Sequence, residues 1–542
     1  AGRVVYQLGA DLRLLDLASG KDTPINITLL SDFDQQREQW VKKPFEYLTT
    51  WGASPNGDRV VLTARGEVFV APFEPGRFIE LPRNEGVRYR SATFLPDGKT
   101  LLLQSDASGE IEFWTAPANG TEAPKQITSD GKRFRFGGKP SPDGKWFAWG
   151  DKDMKLWVYG FGKKETKLIT TSPGDTIRSD FAWSPDSQWI AYCEEATNTY
   201  KQVKICRVSD LTKATITSDR TNSYSPAWSP DGKWLYFLSD RELRTVVGSP
   251  WGLWQPEPFY TDTTKIYHVA LKKGEKSPFR PVDELTTAST PVATTQKPAT
   301  PPAKTTTSTE RLKQLIRPMV AKLMEEKQST NAKEQDKPKT EAPKAAAKVE
   351  PKKPATTTVT IDLDGLATRL EEVPVPAGNY EDLTIGSKYL YFTSKPAGFN
   401  PKRALKHYEI TGKPHSVFTM ADDINGYELC LKDNKMVVKK GDAFYTIDAN
   451  AAAPANLSNA AETSGWAFII DPREEWKQIY IESWRMMRDY FYDRGMHGVD
   501  WTAIRKKYEP LVERVTERNE LTSVLSDMLG ELTALHIYVR FG

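Results

Sequence analysis

Cysteine is scarce: only Cys193, Cys206 and Cys430 occur in 542 residues. Three widely spaced thiols make neither a disulfide framework nor a zinc-ligand pattern. Cys193 and Cys206 could face each other across paired strands, but two buried thiols are the simpler expectation. No run of about twenty apolar residues is present, so no membrane-spanning helix is expected. Histidine is rare as well, with five in the chain. Motifs that would carry a complete site are missing: there is no Gly-x-Ser-x-Gly elbow, no His-Glu-x-x-His and no phosphate-binding Gly-x-x-x-x-Gly-Lys. The glycines at Gly160 and Gly162 supply two of the three needed for a dinucleotide loop, and they follow a strand pattern, so they read as a hairpin turn. No metal or organic cofactor is implied.

A basic face is missing too. The net charge is +3, and the 290–358 stretch holds 14 Lys and Arg against 7 Asp and Glu. The remainder carries 60 against 64, so the excess belongs to one segment and nucleic acid is not an expected partner.

What the chain has is a repeat. Ser-Pro-Asp-Gly or a near variant stands at Ser54–Gly57, Leu95–Gly98, Ser141–Gly144, Ser184–Ser187 and Ser229–Gly232, its prolines 41, 46, 43 and 45 residues apart. Proline at the second turn position and Asp or Gly after it predict a tight turn joining two strands. Apolar or alternating runs follow each turn, and a second strand pattern follows those. Two weaker copies lie near 387–409 and 434–448. Units of this length predict the four-stranded blades of a β-propeller. The expected fold class is therefore mainly β: a seven-bladed β-propeller followed by a small α-helical subdomain, with a disordered insertion. The insertion, 286–358, is rich in Pro, Thr, Lys and Ala and too polar to build a core. Within it, Leu312, Leu315, Ile316, Val320, Leu323 and Met324 share one helical face, interrupted by Pro318 and read as a docking helix or, alternatively, a transient helix in a tether. In the aromatic loop, Trp251, Trp254, Phe259 and Tyr260 either pack over a propeller rim or line a peptide path.

The last seventy residues change character. Asp471-Pro472 with Glu474 predicts a helix start with a capping box. Trp476, Tyr480, Trp484, Met487 and Phe491 then make one apolar face. Asp493-Arg494-Gly495 is expected to end that helix. Asp500 is expected to cap a second one, kinked or broken at Pro510, and Asn519 a third. His497 sits in the first turn, where it reads as a lock that hydrogen-bonds backbone carbonyls. His536 follows the third helix, before what reads as the opening of a strand.

These residues carry a family resemblance. The run from Asp471 to Trp501, with Met-His-Gly-Val-Asp-Trp at its end, then Tyr508–Val515 and Gly530–Val539, resembles the first core subdomain of tricorn-type proteases, a family of S41 serine peptidases. The resemblance implies that His536 is the general base of a serine peptidase. It also implies that the nucleophilic serine and a glutamate lie in a later subdomain beyond a PDZ domain, so this chain alone should be inactive. Leu535 departs from the pattern, because many relatives carry Ser there. Short peptides are the implied substrates, the propeller is the implied gate, and the complete enzyme is expected to be a homo-oligomer.

The expected organisation is a remnant of a preceding propeller over 1–35, blades one to five over 36–285, the insertion over 286–358, blades six and seven over 359–462, and the helical core subdomain over 463–542. Alternatively, the first strands close the present propeller. The cytoplasm is the expected compartment. The periplasm stays open, since a chain starting with Ala in mid-strand could have lost a signal peptide. The rival functional reading is a non-catalytic binding module like the propellers of TolB-type proteins.

Overall fold

The structure, a computed structural model, describes residues 2–28, 30–174, 179–243, 245–247, 259–281, 357–432, 434–450 and 454–540. The predicted docking helix, most of the low-complexity insertion and residues 251–258 of the aromatic loop lie outside the described residues.

Each Ser-Pro-Asp-Gly motif forms the expected turn. At Ser184 the Ser187 N–H donates to the Ser184 carbonyl (2.9 Å), the Trp189 N–H donates to the Ser184 hydroxyl (2.9 Å), and that hydroxyl donates to Asp186 (2.6 Å). The Ser229 turn repeats the pattern with Trp234 and Asp231. The fourth turn residue is left-handed, with φ of 67° to 70° at Gly57, Gly98, Gly144 and Gly232. That is why glycine recurs there.

The turns join strands into six four-stranded antiparallel sheets and one three-stranded sheet, in succession from Leu48 to Asp448. The first contains Leu48–Ala53, Arg59–Ala64, Glu67–Pro72 and Ile79–Glu80. The seventh contains Gly426–Leu429, Lys435–Lys440 and Ala443–Asp448. Alternation sends successive side chains to opposite faces, and each face packs on a neighbouring sheet. In the strand Trp189–Glu195, Trp189, Ala191 and Cys193 enter the core shared with the fifth sheet, while Ile190 and Tyr192 enter the core shared with the third. Cys193 pairs with Val203 and Cys206 with Ile190, so the two thiols lie on opposite faces and do not meet; none of the three cysteines is in a disulfide, and all are buried.

The seventh and first sheets share a core of Val437 and Phe444 with Val60, Leu62 and Phe69. They close the ring by packing, with no strand exchanged between them among the described residues. Each such buried side chain contributes roughly 1.5–3 kcal/mol. A separate ladder pairs Gln39–Val41 with Phe468–Ile470, tying the entry of the propeller to its exit. The strands Arg3–Leu8, Asp11–Asp16 and Asp22–Pro24 pair only with each other among the described residues and add no strand to the seven sheets.

Three helices follow: α1 (Pro472–Tyr490), α2 (Trp501–Val512) and α3 (Arg518–Gly530). Asp471 caps α1 by accepting from the Arg473 N–H (2.9 Å), but Glu474 does not complete a capping box; it pairs with Lys477 instead (3.4 Å). Asp500 caps α2 through the Ala503 N–H (3.0 Å). Helix α2 runs through Pro510, which removes one helical hydrogen bond, and ends two residues later. The cap of α3 is Glu517, not Asn519: Glu517 and Glu520 form a reciprocal capping box. The predicted apolar faces do converge, with Trp476, Tyr480, Trp484, Leu521, Leu525, Met528 and Leu532 in one core.

Candidate active site

Helix α1 ends at Tyr490, earlier than predicted, with Phe491 turning extended, and Gly495 has φ −81°, so it is not the left-handed cap. The left-handed residues come next: Met496 (52°), His497 (54°) and Gly498 (79°). Two L-residues in this conformation cost roughly 1–2 kcal/mol each, and the surroundings hold them. Met496 is buried in the helical core. The Asp493 carboxylate accepts the backbone N–H groups of Gly495 (2.9 Å) and His497 (2.8 Å), and these bonds hold its acid below the usual carboxylate range.

The His497 ring makes two bonds. Nδ1 lies 2.8 Å from the Leu532 carbonyl, and Nε2 meets the Tyr492 hydroxyl. A carbonyl only accepts, so Nδ1 carries the hydrogen; in the neutral ring Nε2 then accepts from Tyr492. The Phe491 ring stands edge-on at 5.0 Å. The expected bond to a backbone carbonyl is present, but that carbonyl belongs to Leu532, two residues past the end of α3, and not to the turn itself.

His536 lies four residues past Leu532, left-handed at φ 68° and exposed. Its Nδ1 is 3.3 Å from the Tyr538 hydroxyl, and Nε2 has no hydrogen-bond partner among the described residues. Neighbouring Leu535 is 84 % exposed. The strand expected after His536 is not formed; residues 537–540 are irregular. The remaining histidines are structural or peripheral. His268 is wholly buried against Trp234, Tyr236 and Phe279 with Nε2 2.9 Å from the Ser277 hydroxyl, and burial, aided by Arg280, lowers its pKa to about 4. His407 is buried beside Tyr389 and Phe418. His415 is exposed, 3.6 Å from Glu409. Among the described residues no group of His, Cys, Asp and Glu could hold a metal ion, and no helix is long and apolar enough to cross a membrane.

Helix α1 carries the site against the turns of the first three sheets. Arg65 forks onto Glu475, with Nη2 2.7 Å from Oε2. Arg90 and Arg485 both meet Glu482, and Arg485 also donates to the Gly109 carbonyl (2.9 Å). Arg488 is bidentate on Glu110 at 2.5 and 3.0 Å. These residues were not singled out from the sequence; i,i+3 charge pairs on a helix ordinarily mark a solvated face. Beside Arg65 lies a cavity of about 1010 Å³ lined by Tyr47, Glu67, Arg83, Trp476 and others; His536 is not in its wall. Burial pushes the Glu67 carboxyl up to about 7, against the opposing pull of Arg83.

The first strand of each sheet borders the centre of the ring. Neighbouring first strands are joined there: the Ala53 N–H donates to Glu428 (2.7 Å), the Ser225 N–H to Asp180 (3.0 Å) and the Leu383 N–H to the Ser225 hydroxyl (3.1 Å). The Lys139 ammonium of the third sheet donates to the Ser179 carbonyl, just before the fourth (2.5 Å). Solvent reaches the Lys139 side chain although protein crowds its ammonium. Crowding holds Lys139 below the usual lysine range and pushes Glu428 up to about 7, where the Ala53 N–H and Lys139 pull the other way.

The family model described as the tricorn protease second beta propeller domain matches residues 48–450. The chain belongs to the tricorn protease family. The tricorn protease C1 domain matches residues 472–530, which is the helical end up to the last residue of α3. A putative tricorn-like protease C-terminal subunit of Sulfurisphaera tokodaii is 25 % identical over 548 residues, covering 99 % of this chain and 54 % of the relative. A tricorn protease homolog of Saccharolobus solfataricus is 23 % identical, covering 99 % of this chain and 43 % of the relative. Among solved structures, a crystal structure of the tricorn protease superposes with a TM-score of 0.71 at 17 % identity, over 99 % of this chain and 46 % of that one. The chain thus spans about half the length of the curated tricorn relatives it matches, and the solved structure shows the shared fold.

Proposed function

We propose that this chain forms the gate and the base-bearing part of a tricorn-like serine peptidase of the S41 class that degrades short peptides. The observation that carries the reading is the order of parts: a tricorn propeller, a tricorn C1 domain, and directly after it an exposed histidine with Nε2 unoccupied. His536 takes the proton of a serine hydroxyl as that oxygen attacks the peptide carbonyl, then returns it to the departing amine. The serine belongs to the part of the relatives' length that this chain does not span, so the 542-residue chain alone is inactive. Leu535 supplies no hydroxyl to the site. The propeller controls access to the site. The complete enzyme is a homo-oligomer of the cytoplasm.

The test is hydrolysis of short peptides by the complete enzyme with His536→Ala. A loss of roughly a thousandfold or more in kcat is expected, and a near-normal rate overturns the assignment. Turnover by the 542-residue chain alone would overturn the division of the machinery.

A further inference from the structure

We infer that His497 is a positioning residue for His536, acting through the Leu532 carbonyl. The inference rests on His536 being the base, and it adds the group that holds it. His536 hangs on a four-residue tether from Leu532, with left-handed kinks at Thr533 (48°) and His536 itself (68°). At the near end the Leu532 N–H donates to the Leu529 carbonyl (3.2 Å) and the Thr533 N–H to that of Gly530 (3.0 Å), and beyond His536 the half-buried Ile537 and Val539 pack on the helical core. Leu532 is wholly buried, so its carbonyl sits at the exact seam between α3 and the α1–α2 turn. His497 reaches it from a turn 35 residues away (2.8 Å).

The donor is itself fixed. The Asp493 carboxylate holds the His497 N–H, buried Met496 anchors the residue before it, and the Tyr492 hydroxyl occupies Nε2. The ring cannot swap its donating nitrogen without facing the Leu532 carbonyl with a lone pair. Two acceptors in contact repel, and a buried carbonyl left unpaired is costly. The imidazole is thus committed to one tautomer and one orientation. Through it the α1–α2 turn sets where the tether starts, and a shift of about 1 Å in a base can cost a hundredfold in rate.

The test is the isosteric pair His497→Asn and His497→Asp. Both tolerate a left-handed backbone, but only Asn offers a hydrogen where Nδ1–H stands. Two readouts separate the layers. In the 542-residue chain, amide exchange at Leu532 and Thr533 is expected to stay within about threefold of wild type for H497N and to rise tenfold or more for H497D. In the complete enzyme, H497D is expected to lower kcat at least thirtyfold with KM within a factor of two, and H497N to recover most of that loss. Equal exchange in the two variants, or equal kcat, overturns the positioning role. Should H497D fail to fold, His497→Gly removes the donor without adding charge or left-handed strain and is read in the same way. If H536A proves active, the base assignment falls, while the exchange result still decides whether His497 holds the tether.

Discussion

Trp484 and Trp501 exchange hydrogen bonds: the Trp484 indole N–H donates to the Trp501 carbonyl (2.7 Å) and the Trp501 indole N–H to the Trp484 carbonyl (2.9 Å). Both rings are buried, at 7 % and 5 % exposure, so the pair locks α1 to the first residue of α2 and fixes the turn that carries His497. Replacing Trp501 with Phe keeps most of the apolar contact and removes one donor. The expected loss is about 1–3 kcal/mol, from the lost second hydrogen bond to the Trp484 carbonyl and the smaller ring. Urea unfolding of the helical end, followed by exchange in peptides from α1 and α2, measures it. No shift in midpoint would mean that the reciprocal bonds add nothing to the packing.

The junction of α1 with the propeller is ionic. Glu482 is the common acceptor for Arg90 and Arg485, and Arg485 is only 3 % exposed. Such pairs are weak evidence of net stabilisation, because desolvation offsets attraction, but removing one member strands the other. Glu482→Ala leaves two guanidinium groups facing each other and is expected to cost roughly 3–5 kcal/mol. The loss should fall on docking first, with α1 exchanging faster while the sheets keep their protection. Uniform protection in that variant would contradict the reading.

Buried His268 makes acid stability testable. Its pKa is lowered to about 4 in the fold, chiefly by burial, against about 6.5 unfolded. The unfolded chain therefore takes up the proton first as pH falls. Stability from keeping this ring neutral is fully present above about 6.5 and is lost as pH falls toward 4, by up to about 3 kcal/mol. Glu67 and Glu428, raised to about 7, work in the opposite sense: they favour the fold at low pH and lose that contribution as pH rises through 7. Whole-protein curves mix the two, so the difference between wild type and His268→Phe is the quantity to measure. It should change with pH between 4 and 6.5 and be flat above. A flat difference throughout would mean the ring is not the titrating group.

The periodic parts of this structure were legible because their causes are local. Ser184, Pro185 and Asp186 make the same turn wherever they stand, and alternation sorts Ile190 from Ala191 without knowledge of the neighbours. Asp500 caps a helix for the same reason. What stayed hidden depends on partners far along the chain. The Leu532 carbonyl that receives His497 is 35 residues away, and Phe468–Ile470 pairs with Gln39–Val41 across the whole propeller. Glu482 and Arg485 look like a solvated pair until Arg90 and the Gly109 turn of the second sheet cover them. Asn519 was a plausible cap, but the reciprocal Glu517–Glu520 box moved the start of α3 to Arg518. For the site, the sequence singled out the histidines but not the bond between the α1–α2 turn and the tether of His536.

Ser187 is the exception among the turn residues, and it predicts an order of stabilities. It holds φ 62° where four other repeats place glycine, which costs an L-residue roughly 1–2 kcal/mol. Its hydroxyl accepts the Asp143 N–H from the preceding sheet's turn (3.0 Å), a contact glycine cannot make. Ser187→Gly relieves the backbone but loses a bond of about 0.5–1.5 kcal/mol and adds chain entropy to the unfolded state worth about 0.5–1 kcal/mol. These terms nearly cancel, so this variant should match wild type within about 1 kcal/mol. Ser187→Ala keeps the strained backbone and loses the bond, and it should be the least stable of the three. Thermal midpoints of the three proteins decide it: alanine at or above glycine would show that the left-handed conformation, and not the lost hydroxyl, is the minor term.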